Sequence, residues 1–168
     1  MINMRTKKIA YLGVFLALAL ILSYVESLIP FYFGIPGVKL GLTNLIVVVM
    51  LYCTGAKEAF GVSVARILLA GFLFGNLFSI LYSLAGGILS FAVMCAVKRT
   101  KKFHIVSVSV AGGISHNIGQ LLAAAFVVQT YDIFYYMPFL LIAGVATGFV
   151  IGMLAQEFIL RFEKQFHF

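Results

Sequence analysis

Charged side chains are scarce in this sequence. Asp, Glu, Lys and Arg make up 10% of its 168 residues, whereas 63% are hydrophobic and the mean hydropathy is +1.12. A soluble domain of this length needs a far more polar surface, so the composition excludes one. It predicts a single all-α domain over residues 1–168, built as a polytopic bundle of transmembrane helices in contact with the lipid bilayer.

Groups that would carry catalysis or bind a metal are also few. Asp132 is the only aspartate, which excludes paired-aspartate magnesium motifs, and the five acidic residues are too scattered for a paired-carboxylate catalyst. No GxxxxGK[ST] motif occurs, so the chain cannot hydrolyse ATP through a P-loop. Cys53 and Cys95 are isolated, and His116 has no neighbouring Cys, Asp or Glu. We therefore expect no disulfide, no metal, no cofactor and no enzyme.

Six apolar runs divide the chain, and most reach the roughly 20 residues that a helix needs to cross a bilayer. The second run is short and follows the Pro/Gly-rich stretch IPFYFGIPGVK, so we expect it to be tilted or partly re-entrant. The predicted helices are 8–29, 40–53, 56–74, 77–97, 105–128 and 138–160.

The positive charges lie at the ends of these runs and predict the topology. With six spans, one side receives ten cations and the other receives only Lys39, which by the positive-inside rule puts both termini in the cytoplasm. The net charge of +7 therefore reflects topology, and no nucleic-acid partner is expected. The ten are Arg5, Lys7, Lys8, Lys57, Lys98, Arg99, Lys101, Lys102, Arg161 and Lys164.

Arg66 is the one cation inside an apolar run. A guanidinium stays protonated and is costly in hydrocarbon, so it faces a protein interior or cavity and marks a function. At 1.5 Å per residue, Arg66 and His116 both fall near the middle of their predicted spans. Two uses remain open: Arg66 binds an anion such as a carboxylate or phosphate, or it pairs with Glu26 and stabilises the fold.

Other polar residues are predicted to join Arg66 in a pocket that opens to the outside. His116, Asn117 and Gln120 in SHNIGQ share one face of the fifth helix by their spacing. The predicted pocket residues are Lys39, Asn44, Arg66, Asn76, His116, Asn117 and Gln120. Small residues on the first helix, Ala10, Gly13 and Ala17, either pack inside the bundle or dock another membrane subunit.

Four segments carry a family resemblance that covers nearly the whole chain. They are PGVKLGLTN (36–44), KEAFGVSVARILLAGFLFG (57–75), SLAGGILSFAVM (83–94) and SHNIGQLLAA (115–124). The sequence resembles bacterial membrane proteins labelled heptaprenyl diphosphate synthase component I, also called Gx transporters. Those in turn are similar to the substrate-binding S components of energy-coupling factor (ECF) transporters.

The resemblance implies a six-helix subunit of the bacterial cytoplasmic membrane that takes up a small anionic vitamin- or cofactor-like molecule. Its implied partners are the ECF transmembrane subunit and ATPase subunits, docked through Ala10, Gly13 and Ala17. The pocket residues that the resemblance implies are Lys39, Asn44, Arg66, His116, Asn117 and Gln120. The alternative is a non-catalytic membrane subunit of a heptaprenyl diphosphate synthase, because the aspartates of a synthase catalyst are missing.

Overall fold

A computed structural model of the chain describes residues 4–28 and 41–162. Within those ranges the protein consists of six α-helices, with a 3-10 helix at Tyr131–Tyr136 before the last. The α-helices are α1 (Met4–Leu28), α2 (Leu42–Cys53), α3 (Ala56–Phe74), α4 (Leu77–Arg99), α5 (Ile105–Val128) and α6 (Met137–Phe162). The predicted all-helical fold is confirmed, and the predicted bounds of the third and fifth helices match the observed ones.

Among the described residues, four stretches are long and apolar enough to cross a membrane by length and composition. They are Thr6–Leu28, Leu77–Arg99, Ile105–Val128 and Tyr131–Phe162. The remaining two helices are not among these candidate spans, for separate reasons. Helix α2 has only 12 residues, and α3 carries Lys57, Glu58 and Arg66 within its 19 residues. Six complete spans and cytoplasmic termini stay predictions.

The short helix α2 forms the centre of the bundle. From Leu45 to Leu51 its sequence is apolar on every face, and a helix of that kind is stable only when surrounded. All six residues from Ile46 to Leu51 are buried, and Met50 has no exposed surface. Phe15 of α1, Phe91 of α4 and Ile151 of α6 belong to the same core cluster.

Side chains from other helices bind both ends of α2. At its first turn, Glu26 of α1 accepts a hydrogen bond from the Gly41 backbone N–H at 2.5 Å. At its last turn, Lys98 of α4 donates from Nζ to the Leu51 carbonyl oxygen at 2.5 Å, with the ammonium 4.3 Å from the centre of the Tyr52 ring. A carboxylate at a helix N-terminus and a cation at its C-terminus both complement the helix dipole. Lys98 is thus a structural residue as well as a predicted topology signal.

Helices α4, α5 and α6 pack tightly through glycines. A Cβ added at Gly148 of α6 would lie 2.7 Å from the Val110 Cα of α5 and 2.9 Å from the Ser109 carbonyl oxygen. Gly152 continues the same contact one turn later, against Val106. This close backbone approach explains the four-residue glycine spacing of α6.

The end contacts of α2 predict the effect of Lys98→Met. The change leaves the Leu51 carbonyl without its charged donor, so we expect a loss of about 1–2 kcal/mol in the free energy of unfolding. Urea unfolding in detergent micelles measures it. Lys102→Met is the matched control, since Lys102 is exposed and should change stability by less than about 0.5 kcal/mol. Equal effects of the two substitutions would contradict the role given to Lys98.

The glycine contacts predict opposite outcomes for two Gly→Ala changes. Gly148→Ala forces its Cβ against α5 backbone, and we expect a loss of about 1–3 kcal/mol. Gly61→Ala, where an added Cβ meets nothing within 4 Å, should be neutral or gain up to about 1 kcal/mol from helix propensity. Thermal unfolding of both variants tests this, and a stable Gly148→Ala protein would show that α5 and α6 do not pack as described.

Candidate functional site

A cavity of about 180 Å³ lies at the end of the bundle where α2 begins and where α3 turns into α4. Because α2 is only about 18 Å long at 1.5 Å per residue, it fills one part of the bundle centre and leaves space beyond its first turn. Five helices contribute to the wall. The lining residues of α1 and α2, with the residue that precedes α2, are Ser23, Glu26, Ser27, Gly41, Thr43 and Asn44; those from α3 onward are Arg66, Ile67, Ala70, Gly71, Phe74, Gly75, Ser79, Ser83, His116 and Gln120.

Glu26 is held at the cavity wall by the start of α2. Its Oε1 accepts from the Gly41 backbone N–H at 2.5 Å, and its Oε2 accepts from Thr43 Oγ1 at 3.3 Å. Gly41 has φ +70°, in the left-handed region that disfavours other residues, so a glycine suits the position. The carboxylate therefore has fixed partners and a fixed place beside the cavity.

Arg66 brings a positive charge to the same cavity. Its Nε is buried, and no residue within 4–28 or 41–162 provides that atom with a hydrogen-bond partner. The ion pairs found among those residues are Lys8–Glu58 and Arg161–Glu157, and neither includes Arg66. Glu26 attracts the guanidinium electrostatically, but it makes its hydrogen bonds to α2. The predicted alternative of a direct Arg66–Glu26 salt bridge is therefore absent from the described part of the chain.

His116 and Gln120 of α5 complete one wall. They lie four residues apart, so they share a helix face, as predicted. Gly86 of α4 packs directly behind them: a Cβ there would lie 2.8 Å from Gln120 Cγ and 2.8 Å from the His116 carbonyl oxygen. A larger residue at position 86 would push α5 away, so this glycine determines where the two polar side chains sit.

Two predicted pocket residues have other contacts. Asn117 does not line the cavity; it lies about 100° round the helix from His116 and donates from Nδ2 to the Leu140 carbonyl of α6 at 2.7 Å. Asn76 is the N-cap of α4, where its Oδ1 accepts from the Ser79 N–H at 2.8 Å. Neither asparagine lines the pocket as predicted, because each side-chain amide makes a hydrogen bond with a nearby backbone group. Lys39 lies outside the described residues.

The sequence prediction missed the hydroxyl groups in the wall. Ser23 and Ser27 of α1, and Ser79 and Ser83 of α4, line the cavity in pairs four residues apart. Their four-residue spacing on otherwise apolar helices is the signal in the sequence that could have identified them. Within the described ranges, no group of three His, Cys, Asp or Glu side chains could hold a metal ion.

The predicted docking residues Ala10, Gly13 and Ala17 are all exposed on α1. An added Cβ at Gly13 meets nothing within 4 Å. Gly13 also borders an open groove between α1 and α3, opposite Gly61 and Ala65. The structure thus leaves this stripe accessible, and its docking role stays a prediction.

Comparison with known families gives one match. The sequence model described as heptaprenyl diphosphate synthase component I matches residues 15–158. The chain belongs to that family. The match confirms the resemblance to this family. Component I is the non-catalytic component, so the match also confirms the prediction that the chain is not an enzyme. No curated protein and no solved structure matches the chain, so the link to ECF S components stays a prediction.

The contacts of the two asparagines predict a separation of stability from binding. Asn76→Ala removes an N-cap and should cost about 1 kcal/mol of stability, and Asn117→Ala should cost about 1–2 kcal/mol through the unpaired Leu140 carbonyl. Neither should change the affinity of an anion for the cavity by more than about twofold, whereas Gln120→Ala should weaken that affinity by more than about twofold. Thermal unfolding and ligand titration on the same samples test this, and an Asn117→Ala protein of normal stability but impaired binding would contradict the assignment.

Proposed function

We propose that the chain is a non-catalytic, multi-pass membrane subunit that serves a heptaprenyl diphosphate synthase in a bacterial cytoplasmic membrane and binds a small anionic molecule. The family match supports the synthase association. The four apolar helices support the membrane location. The lack of paired aspartates supports a non-catalytic role, since a soluble partner must then supply the magnesium-binding carboxylates.

One observation carries the anion-binding part of the proposal. Arg66 places a buried Nε–H, without a partner among the described residues, at a cavity lined by hydroxyl and amide groups. A buried donor left unpaired costs about 1–3 kcal/mol, and more when it is charged. A bound carboxylate or phosphate would accept from that Nε–H and a terminal nitrogen together, in the bidentate geometry that guanidinium groups favour.

A second candidate function is the S component of an ECF-type transporter. Two observations favour it: the cavity lined in part by polar side chains, and the exposed small residues Ala10, Gly13 and Ala17 on α1. In that function the cavity holds the transported molecule, and the small residues dock an ECF transmembrane subunit that carries two ATPase subunits. The two candidates share the anion site and differ in the partner.

Partner identity separates the two functions. We expect the tagged chain, purified in mild detergent from its own host, to carry a soluble prenyl diphosphate synthase subunit with aspartate-rich motifs. Recovery of an ECF transmembrane subunit with ATPases instead would favour transport. Gly13→Leu tests the docking stripe, and Ala146→Leu at an exposed position of α6 is its matched control; loss of the partner in the first alone would locate the contact on α1.

The anion site predicts ligand loss in Arg66→Gln. Native mass spectrometry of the wild-type protein from its own host should detect a bound small anion, and Arg66→Gln and His116→Ala should each reduce its occupancy at least about tenfold, which corresponds to about 1.4 kcal/mol. Arg99→Gln is the control, because Arg99 is an exposed cation at the end of α4. Unchanged occupancy in both cavity variants would remove the proposed site.

A further inference from the structure

The cavity wall carries one charge of each sign. Arg66 and Glu26 both line it, and its other described polar residues are hydroxyls, amides and His116. The segment 29–40, which connects α1 to the start of α2, contains Lys39 and no other charged residue. With histidine counted as neutral, the charges of the described wall residues sum to zero.

Glu26 cannot leave the wall without cost. Its two oxygens accept from Gly41 N–H and Thr43 Oγ1 at the first turn of α2, where the helix dipole also favours a negative charge. Lys98 holds the other end of α2, so the helix start has a fixed position. A ligand in the cavity therefore meets the Glu26 side chain as well as the Arg66 guanidinium.

This combination limits the charge of the ligand. A phosphate monoester carries about −1.5 to −2 at pH 7, and a diphosphate carries more, so either would remain partly uncompensated next to Glu26 in a weakly screened interior. A single carboxylate brings only one negative charge next to Glu26. Its two oxygens also match a terminal N–H of the guanidinium and the Nε–H, which has no partner among the described residues.

We infer that the molecule bound in this cavity is a small organic monocarboxylate, and not a phosphate or diphosphate ester. The inference rests on the proposed anion site and specifies its ligand class. Serines on α1 and α4, with Asn44 and Gln120, supply the neutral hydrogen-bonding groups. Under the synthase function, the cavity then does not hold the prenyl diphosphate itself.

Calorimetric titration of the purified full chain in nanodiscs of uncharged lipid tests the inference. The probes are sodium benzoate and inorganic pyrophosphate at matched ionic strength. We expect benzoate to bind wild type at least about tenfold more tightly than pyrophosphate, and Arg66→Gln to abolish benzoate binding. Glu26→Gln, whose amide oxygen can still accept from Gly41 N–H, should reduce the ratio of benzoate affinity to pyrophosphate affinity at least about tenfold.

The outcomes distinguish the ligand class from the site. Pyrophosphate binding as tight as benzoate binding, and lost in Arg66→Gln, would overturn the monocarboxylate inference and leave the anion site intact. Binding of neither probe, or binding unchanged in Arg66→Gln, would overturn the anion site and the inference with it. The wild-type comparison decides the ligand class without any variant, so misfolding of Glu26→Gln would not remove the test.

Discussion

The hydrogen bonds at the two ends of α2 are the constraint on which the rest of the structure depends. Glu26 of α1 accepts a hydrogen bond at the start of α2, and Lys98 of α4 donates one at its last turn. Each charge complements the helix dipole at its end of α2, and the two contacts connect α2 to two other helices. The residues between those ends are buried from Ile46 to Leu51 and form much of the core. The apolar residues of α2 do not favour one orientation of this helix in the bundle over another. The hydrogen bonds at its two ends do.

The short length of α2 also produces the site. Helices α1, α4 and α5, which also line the cavity, have 23 to 25 residues, so they extend past the 12 residues of α2 and border a space beyond its first turn. The same carboxylate that fixes α2 then becomes part of the cavity wall. Arg66 of α3 lines that space with a buried Nε that has no hydrogen-bond partner among the described residues. The fold thus brings Arg66 and Glu26 to one cavity. Arg66 underlies the proposed anion binding, and Glu26 underlies the proposed preference for a single carboxylate.

Local patterns in the sequence were enough to predict most of the helices. Apolar runs bounded by Gly, Pro and charged residues gave the limits of α3 and α5, and the shortness of α2 was visible in the same way. The i, i+4 spacing placed His116 and Gln120 together. Contacts between distant residues were not predictable, because they depend on how helices pack: the partner of Glu26 is 15 residues away and that of Lys98 is 47. Asn117 differs from its expected place for the same reason, since the Leu140 carbonyl of α6 lies within its reach.

The central claim is that the Arg66 guanidinium faces the cavity and binds a carboxylate there. A crystal structure of the full chain with 4-bromobenzoate, collected at the bromine absorption edge, tests it directly. The expected result is a single anomalous peak inside the cavity. The carboxylate should accept a hydrogen bond from Arg66 Nε, and Glu26 should still accept hydrogen bonds from Gly41 N–H and Thr43 Oγ1. Arg66 Nε donating to Glu26, with no bromine peak in the cavity, would contradict it.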